Sequence, residues 1–228
     1  MIGTGVGMSR VLLIEDHVSF SESLALMLDK EPDIEVVGRA SSVGEAMKMV
    51  EVGADVAVMD LGLPDGSGAE VMWELREANP DVKMLVLTSS VDREQIARAV
   101  EAGAGGFLHK SARVGEIVAA IRRLSSGEVL IPPEEIIELL RLAAQKREEW
   151  HRQRLAVMKL TKRETQVLEA LAEGLDSEGI ARRLGVTVET ERTHIVNILN
   201  KLKAHSRLEA VVIAVRHGVV EIRTPDRR

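Results

Sequence analysis

Asp55-Val-Ala-Val-Met-Asp60-Leu-Gly-Leu-Pro-Asp-Gly66 is a short apolar run that ends on a carboxylate and empties at once into a Pro/Gly turn. Such a run, bounded by turn-formers, reads as a strand buried on both faces, as in a parallel sheet. Asp60 then stands at the mouth of that sheet. The same pattern recurs on either side of it: Val11-Leu-Leu-Ile14 runs into Glu15 and Asp16, Met84-Leu-Val-Leu87 into Thr88, and Gly106-Phe-Leu-His109 into Lys110.

Working outward, strands are expected near 10–15, 34–38, 55–59, 84–88 and 105–108. Helices are expected near 18–30, 43–52, 68–78, 92–102 and 114–126. This alternation predicts an α/β doubly wound fold: a five-stranded parallel sheet with helices on both faces and ligands at the carboxyl ends of its strands. The domain is placed at 9–131, because Pro132-Pro133 interrupts both helix and ladder. Residues 132–159 read as a helical linker, apolar at its start and therefore able to self-pair, then polar all round. Residues 160–228 show only helical patterns, near 162–173, 177–184, 188–203 and 206–217. Thr161 with Glu164 forms a capping box, Thr187 and Ser206 suit later caps, and Gly174 and Gly185 suit helix stops. The tight turn Leu184-Gly-Val-Thr187 is compatible with a helix-turn-helix. Met1–Met8 reads as a flexible tail, with Met8 as an alternative start.

The 228 residues, 45% of them hydrophobic, are enough for two cores, and the absence of cysteine excludes disulfides, cysteine-ligated zinc and thiol chemistry. With neither a membrane-length apolar run nor a secretory leader, the expectation is a cytoplasmic protein without membrane contact. Charge is asymmetric. Residues 1–131 hold 12 Lys and Arg against 21 Asp and Glu, whereas residues 160–228 hold 12 against 10. Only the second half is a plausible nucleic-acid binder.

Carboxylates crowded at one sheet end repel, so they either shift their pKa or hold a cation, and Glu15, Asp16 and Asp60 are hard oxygen ligands suited to Mg²⁺. With the metal in place an aspartate can attack a phosphoryl group, while the metal and a lysine neutralise the phosphoryl oxygens. Asp60 is the expected nucleophile and Lys110 the counter-cation. Singly, each residue has an ordinary role, as a turn cap, a strand-end hydroxyl or a solvated lysine. Their convergence from four strand ends favours function. Phe107 is equally a plain core aromatic.

Leu-Ile-Glu15-Asp16-His, Met-Asp60-Leu-Gly-Leu-Pro64-Asp-Gly66, Leu-Thr88-Ser and Gly-Phe107-Leu-His-Lys110 together resemble the flavodoxin-like receiver domain of two-component response regulators. That resemblance implies a metal-binding acidic pair at Glu15 and Asp16 and a phosphoacceptor at Asp60, charged by a cognate histidine kinase. It implies a further metal ligand in the Gly62 carbonyl and a phosphoryl contact from Lys110. It also implies a switch of Thr88 and Phe107, and a role for Gly62 and Ser90 in acyl-phosphate lifetime. Added phosphate charge would draw the Thr88 hydroxyl inward and vacate space for Phe107.

Leu160-Thr-Lys-Arg-Glu164-Thr-Gln-Val-Leu168, Ile180-Ala-Arg-Arg-Leu184-Gly-Val186, Thr190, Arg192-Thr-His194-Ile195, Ile198-Leu-Asn-Lys-Leu202 and Arg207-Leu-Glu-Ala210 resemble a LuxR-type helix-turn-helix. The chain as a whole is similar to the NarL/FixJ class. On the helix from Val188, Arg192, Thr193 and Val196 share a face that can enter a major groove. Ile195, Ile198, Leu199 and Leu202 face the core. Lys201, Lys203 and Arg207 are candidates for phosphate contacts. His194 is expected to cap or pack. The chain departs from the family at Asp176-Ser177-Glu178-Gly179 and at Glu191, where acids are expected on the phosphate surface and weaken binding. A homodimer formed on phosphorylation is expected to recover affinity for double-stranded DNA, with Leu208, Val211, Val212 and Val215 as contacts or core residues.

The favoured reading is a phosphorylation-controlled transcription regulator and not an enzyme. An alternative is a phospho-accepting signalling adaptor with weak or lost DNA binding. A phosphohydrolase is disfavoured, because Gly62 stands where a second aspartate would act as acid/base.

Overall fold

The computed structural model describes residues 8–89 and 92–221, so Ser90 and the first seven residues lie outside the described residues. In chain order the first part comprises β1 (Ser9–Ile14), α1 (Val18–Leu28), β2 (Ile34–Ala40), α2 (Val43–Ala46), which tightens into a 3₁₀ turn over Met47–Met49, and β3 (Val56–Met59). There follow β4 (Gly62–Leu63), β5 (Gly66–Ser67), α3 (Gly68–Ala78), β6 (Lys83–Thr88), α4 (Arg93–Ala102), β7 (Gly106–His109) and α5 (Val114–Ser125). Strands β2-β1-β3-β6-β7 form one five-stranded sheet whose pairings are all parallel. This is the doubly wound sheet expected from the sequence.

The two-residue period of each strand divides the core between the faces. Leu12, Ile14, Ala57, Met59, Met84 and Val86 pack towards α3 residues such as Val71 and Leu75. Val11, Leu13, Val56, Val58, Leu85 and Leu87 pack towards Leu24 and Leu28 of α1 and Ile117 and Ile121 of α5. Both faces are covered, which is why the strands read as continuous apolar runs rather than alternating ones. β1 and β2 slip register between Val11 and Leu12, leaving Val37 as the extra residue, and a side chain at the adjoining Gly38 would press on Leu12.

The turn after Asp60 is more ordered than its Pro/Gly content suggests. β4 and β5 form a small antiparallel hairpin, and the Asp65 carboxylate accepts the backbone N–H groups of Val43 and Gly44 at 2.7 and 2.9 Å. Those backbone hydrogen bonds hold the Asp65 carboxyl below the usual carboxylate range. Gly68 is required here, since a Cβ would sit 2.4 Å from the Asp60 carbonyl oxygen.

Helix α6 (Pro133–Val157) covers the stretch read as a linker, but its two halves belong to different compact units, divided between Gln145 and Lys146. The apolar start, read as able to self-pair, packs in part within the first unit, while Ile137 and Leu140 are exposed. Leu139 and Ala143 are 2% and 4% exposed against Ala97 and Val100 of α4, with Phe107 at the edge of the cluster. The second unit adds α7 (Lys162–Ala172), α8 (Ser177–Leu184), α9 (Val188–Leu202) and α10 (Arg207–Arg216) around Val167, Leu168, Ile180, Ile195, Ile198 and Ile213. The Thr161–Glu164 capping box and the Thr187 and Ser206 caps form as read, and Gly185 closes α8 at φ 65°. Among the described residues no helix is long and apolar enough to cross a membrane.

Candidate functional site

Asp60 follows the last residue of β3 and is 8% exposed. Its backbone N–H donates to the Ile14 carbonyl, which pins it beside the end of β1. Its Oδ1 accepts the N–H of Leu61 at 2.7 Å, and its Oδ2 accepts a hydrogen bond from Lys110 Nζ at 2.8 Å. The same ammonium donates to Glu15 Oε1 at 2.7 Å. Lys110 thus bridges carboxylates at the ends of two neighbouring strands. Burial works to lower its pKa, but the hydrogen bonds to Asp60 and Glu15 outweigh it and raise the group above its ordinary value. It also lies 5.9 Å from the Phe20 ring centroid, a cation–π contact.

Glu15 Oε1 additionally accepts the backbone N–H of His17 at 3.1 Å and lies 2.9 Å from His17 Nδ1. The imidazole is drawn to both acids, and its pKa is raised first by Glu15 and then by Asp16. Asp16 Oδ1 is 2.8 Å from the same nitrogen but outside hydrogen-bonding geometry, and it is otherwise without a partner among the described residues. Ligand atoms of Glu15, Asp16 and His17 converge within 4.8 Å. A shielded carboxylate oxygen that accepts no hydrogen bond, beside other hard oxygen donors, is chemistry a divalent cation satisfies, so the acidic cluster fits Mg²⁺.

Thr88 ends β6 and is buried, and its carbonyl accepts the Lys110 N–H at 3.0 Å. Phe107, half-buried on β7, pairs with Val86 and touches both the sheet core and the α4–α6 cluster. Gly62 opens the β4–β5 hairpin. The structure therefore brings Glu15, Asp60 and Lys110 together, with Asp16 beside Glu15, Thr88 bonded through its carbonyl to the Lys110 N–H and Gly62 next to the Asp60 carboxylate, while Phe107 packs in the hydrophobic clusters.

On α9, Arg192, Thr193 and Val196 are exposed together, with Ile195, Ile198 and Leu202 facing the core. Lys203 is exposed and caps the helix in the left-handed region at φ 54°. Two of the expected phosphate contacts are engaged inside the unit. Lys201 donates to buried Glu164 at 2.7 Å and to the Lys159 carbonyl at 3.3 Å, and Arg207 donates to Ser177 Oγ at 3.0 Å. One of the three acids differs from expectation: Glu191 is fully buried rather than on the phosphate surface, whereas Asp176, which caps α8 by accepting the Gly179 N–H, and Glu178 are exposed. On α10, Leu208 and Val212 are exposed, whereas Val211 and Val215 pack in the core.

Family models match both halves: the response regulator receiver domain over residues 11–122, and the luxR family of bacterial regulatory proteins over residues 158–214. The transcriptional regulatory protein LiaR of Bacillus subtilis is 37% identical over 217 residues, spanning 93% of this chain and 100% of that protein. The chain belongs to the response regulators with a LuxR-type DNA-binding domain. VraR of Staphylococcus aureus, a response regulator protein, is 32% identical over 213 residues, covering 93% of this chain and 99% of its own. Among solved structures, the response regulator ChrA of a heme-sensing two-component system has 30% identity and a TM-score of 0.50 over 93% of this chain and 99% of that one. A LuxR-family regulator from Aurantimonas sp. gives 29% identity and a TM-score of 0.51 over 62% of this chain and 99% of its own.

Like its relatives, this response regulator is a transcription regulator, joining a receiver of the type controlled by phosphorylation to a DNA-binding domain. Sequence reasoning passed over His17, whose imidazole sits between Glu15 and Asp16; its place directly after the acidic pair was the available signal. It also passed over the buried partners of Lys201 and Arg207, for which spacing carries no signal.

Proposed function

We infer that Asp60 is the phosphoacceptor of this response regulator. The observation that carries this reading is the Lys110 ammonium shared at 2.7 and 2.8 Å between Glu15 and Asp60, beside an Asp16 oxygen that accepts no hydrogen bond. In the proposed reaction an Asp60 carboxylate oxygen attacks the phosphorus of a phosphohistidine on the cognate kinase. The O–P bond forms as the P–N bond breaks, and the imidazole leaves with a proton. Glu15, Asp16, Asp60 and the Gly62 carbonyl would hold Mg²⁺, which when bound supplies charge neutralisation to the phosphoryl oxygens. Lys110 would move from its carboxylate pairing onto a phosphoryl oxygen, and the Thr88 hydroxyl would close on another. Phe107 then follows into the space vacated.

The output rests on α9. Arg192, Thr193 and Val196 are the proposed base-reading face, and Lys203 the foremost phosphate contact, with Lys201 and Arg207 contributing only as far as their internal pairing permits. In this reading the receiver occupies 9–131, the connecting helix 132–159 and the DNA-binding domain 160–228. The phosphorylated protein acts in the cytoplasm as a homodimer on double-stranded DNA, with exposed Leu208 and Val212 at the contact. The pairing of Lys201 and Arg207 favours a second reading, a phospho-accepting adaptor with weak DNA binding.

The test is intact mass and solution molecular weight after incubation with a small phosphodonor and Mg²⁺, comparing the natural chain with Asp60→Asn. One added phosphoryl group and a shift toward dimer, both lost in the variant, are expected. Equal behaviour of the two proteins removes Asp60 from the role. Absence of any DNA shift at low salt favours the adaptor.

A further inference from the structure

Helix α9 carries a carboxylate at a position the fold treats as interior. Glu191 is 0% exposed, and neither of its carboxylate oxygens has a hydrogen-bond partner among the described residues. An isolated buried carboxylate is strongly disfavoured, so a fold that retains one supplies an opposite charge. That charge is Arg207, whose Nη1 lies 3.6 Å from Glu191 Oε1 and donates to Ser177 Oγ at 3.0 Å.

Ser177 and Arg207 are the first residues of α8 and α10, and Glu191 lies in the first turn of α9. One guanidinium therefore ties together the N-terminal turns of three helices. Its place is unfavourable for α10 itself, because a cation at a helix N-terminus opposes the macrodipole. The compensation comes from Glu191. In a helix-turn-helix the N-terminal part of the second helix enters the groove while the first crosses the backbone, so this bridge lies where phosphates pass.

We propose that Glu191 is a built-in brake on DNA binding: it neutralises Arg207 within the fold and withdraws it from the cations available to phosphate. Glu191 acts through Arg207 and contacts no DNA, so it is a positioning residue. The proposal rests on the reading that α9 binds DNA. Each phosphate neutralised by a cation steepens the dependence of log K on log salt by about 0.9. An Arg207 held by Glu191 is one such contact forgone.

The experiment measures binding of the full chain to a mixed-sequence duplex between about 50 and 200 mM salt, the range over which phosphate contacts dominate. The proteins are the natural chain, Glu191→Gln, Arg207→Ala and the double variant, with Glu191→Met as an apolar alternative and far-UV circular dichroism to establish folding. Glu191→Gln and Glu191→Met are expected to tighten binding and steepen the slope by about 0.9. Arg207→Ala combined with Glu191→Gln abolishes the gain. A role confined to folding would move the unfolding midpoint and not the slope. The proposal is overturned if the Glu191 variants leave the slope unchanged or if the gain persists without Arg207. Loss of DNA binding by all proteins at the lowest salt overturns the DNA-binding reading and the brake with it, an outcome distinct from binding with an unaltered slope.

Discussion

Lys201, near the end of α9, donates to Glu164 Oε2 at 2.7 Å, and Glu164 in turn accepts the Thr161 N–H at 2.7 Å in the capping box of α7. Helix α9 is thereby tied to α7 through a carboxylate whose side chain is 4% exposed. Burial pushes the Glu164 pKa up, but the hydrogen bonds from Lys201 and Thr161 more than offset it and leave the group below its ordinary value. A folded-state pKa below the unfolded one means the unfolded chain binds more protons. The stabilisation is therefore complete above the unfolded carboxylate range and lost as pH falls through the folded pKa.

Glu164→Gln is expected to lower the stability of the helical unit by about 1–3 kcal/mol at neutral pH, the cost of leaving a hydrogen-bonded charge site unsatisfied. The difference from the natural chain should narrow as pH falls through the carboxylate range. Chemical denaturation followed at several pH values checks this, and a difference constant with pH would show that the charge of Glu164 contributes nothing.

A second titration has its own optical reporter. The rings of Trp150 on α6 and His217 after α10 lie 4.1 Å apart between centroids, and His217 Nε2 is buried without a partner among the described residues. Burial lowers the His217 pKa, reinforced by Arg154 and Arg216. The neutral imidazole is thus the stable form in the fold. Stability is full above the unfolded histidine pKa and is lost as pH falls below it towards and through the depressed folded value. In a Trp73→Phe background, Trp150 fluorescence during unfolding should report a midpoint that declines from neutral to mildly acidic pH, and His217→Phe should flatten that decline. An unchanged decline in His217→Phe would assign it to other groups.

The parallel sheet was legible because its strands are buried on both faces, so Val11–Ile14, Val56–Met59 and Met84–Leu87 stand out as unbroken apolar runs. Strand ends are also where polarity changes abruptly, and this exposed Glu15, Asp60, Thr88 and Lys110 together. What stayed hidden depends on three-dimensional pairing between distant residues. Glu191 reads as a surface acid on a polar helix face, and only the packing of α8, α9 and α10 shows that it is interior. Asp65 reads as a turn residue, yet it caps α2 across 22 positions of sequence. The division inside α6 was equally unreadable, because the helical period continues through Gln145 while only its packing partners change.

Lys110 competes with any cation for the oxygens of Glu15 and Asp60, since its ammonium already holds one oxygen of each. Removing it with Lys110→Met leaves Glu15 and Asp60 without their shared ammonium. The receiver should then be less stable in chelator. Its stabilisation by Mg²⁺, which follows the ratio of free ion to dissociation constant, should be larger than in the natural chain. Thermal unfolding with and without Mg²⁺ decides. A Mg²⁺-dependent shift smaller than that of the natural chain would mean that Lys110 supports rather than opposes metal at this site.

The start of α6 should behave as part of the receiver. Leu139 is 2% exposed and packs with Ala97, Val100 and Ile131. Truncating a buried leucine to alanine costs about 2–5 kcal/mol through lost transfer energy and the cavity left behind. Leu139→Ala is therefore expected to destabilise the first unit by that order, although the residue lies beyond the last strand and helix of the doubly wound fold. A chain ended after Ile131 should likewise unfold at lower temperature than one ended after Gln145, because it exposes Ala97 and Val100 to water. The same substitution in the fragment ended after Gln145 separates the two causes. Equal stability of that fragment with and without Leu139→Ala would show that α6 only rests on α4 and contributes no folding energy to it.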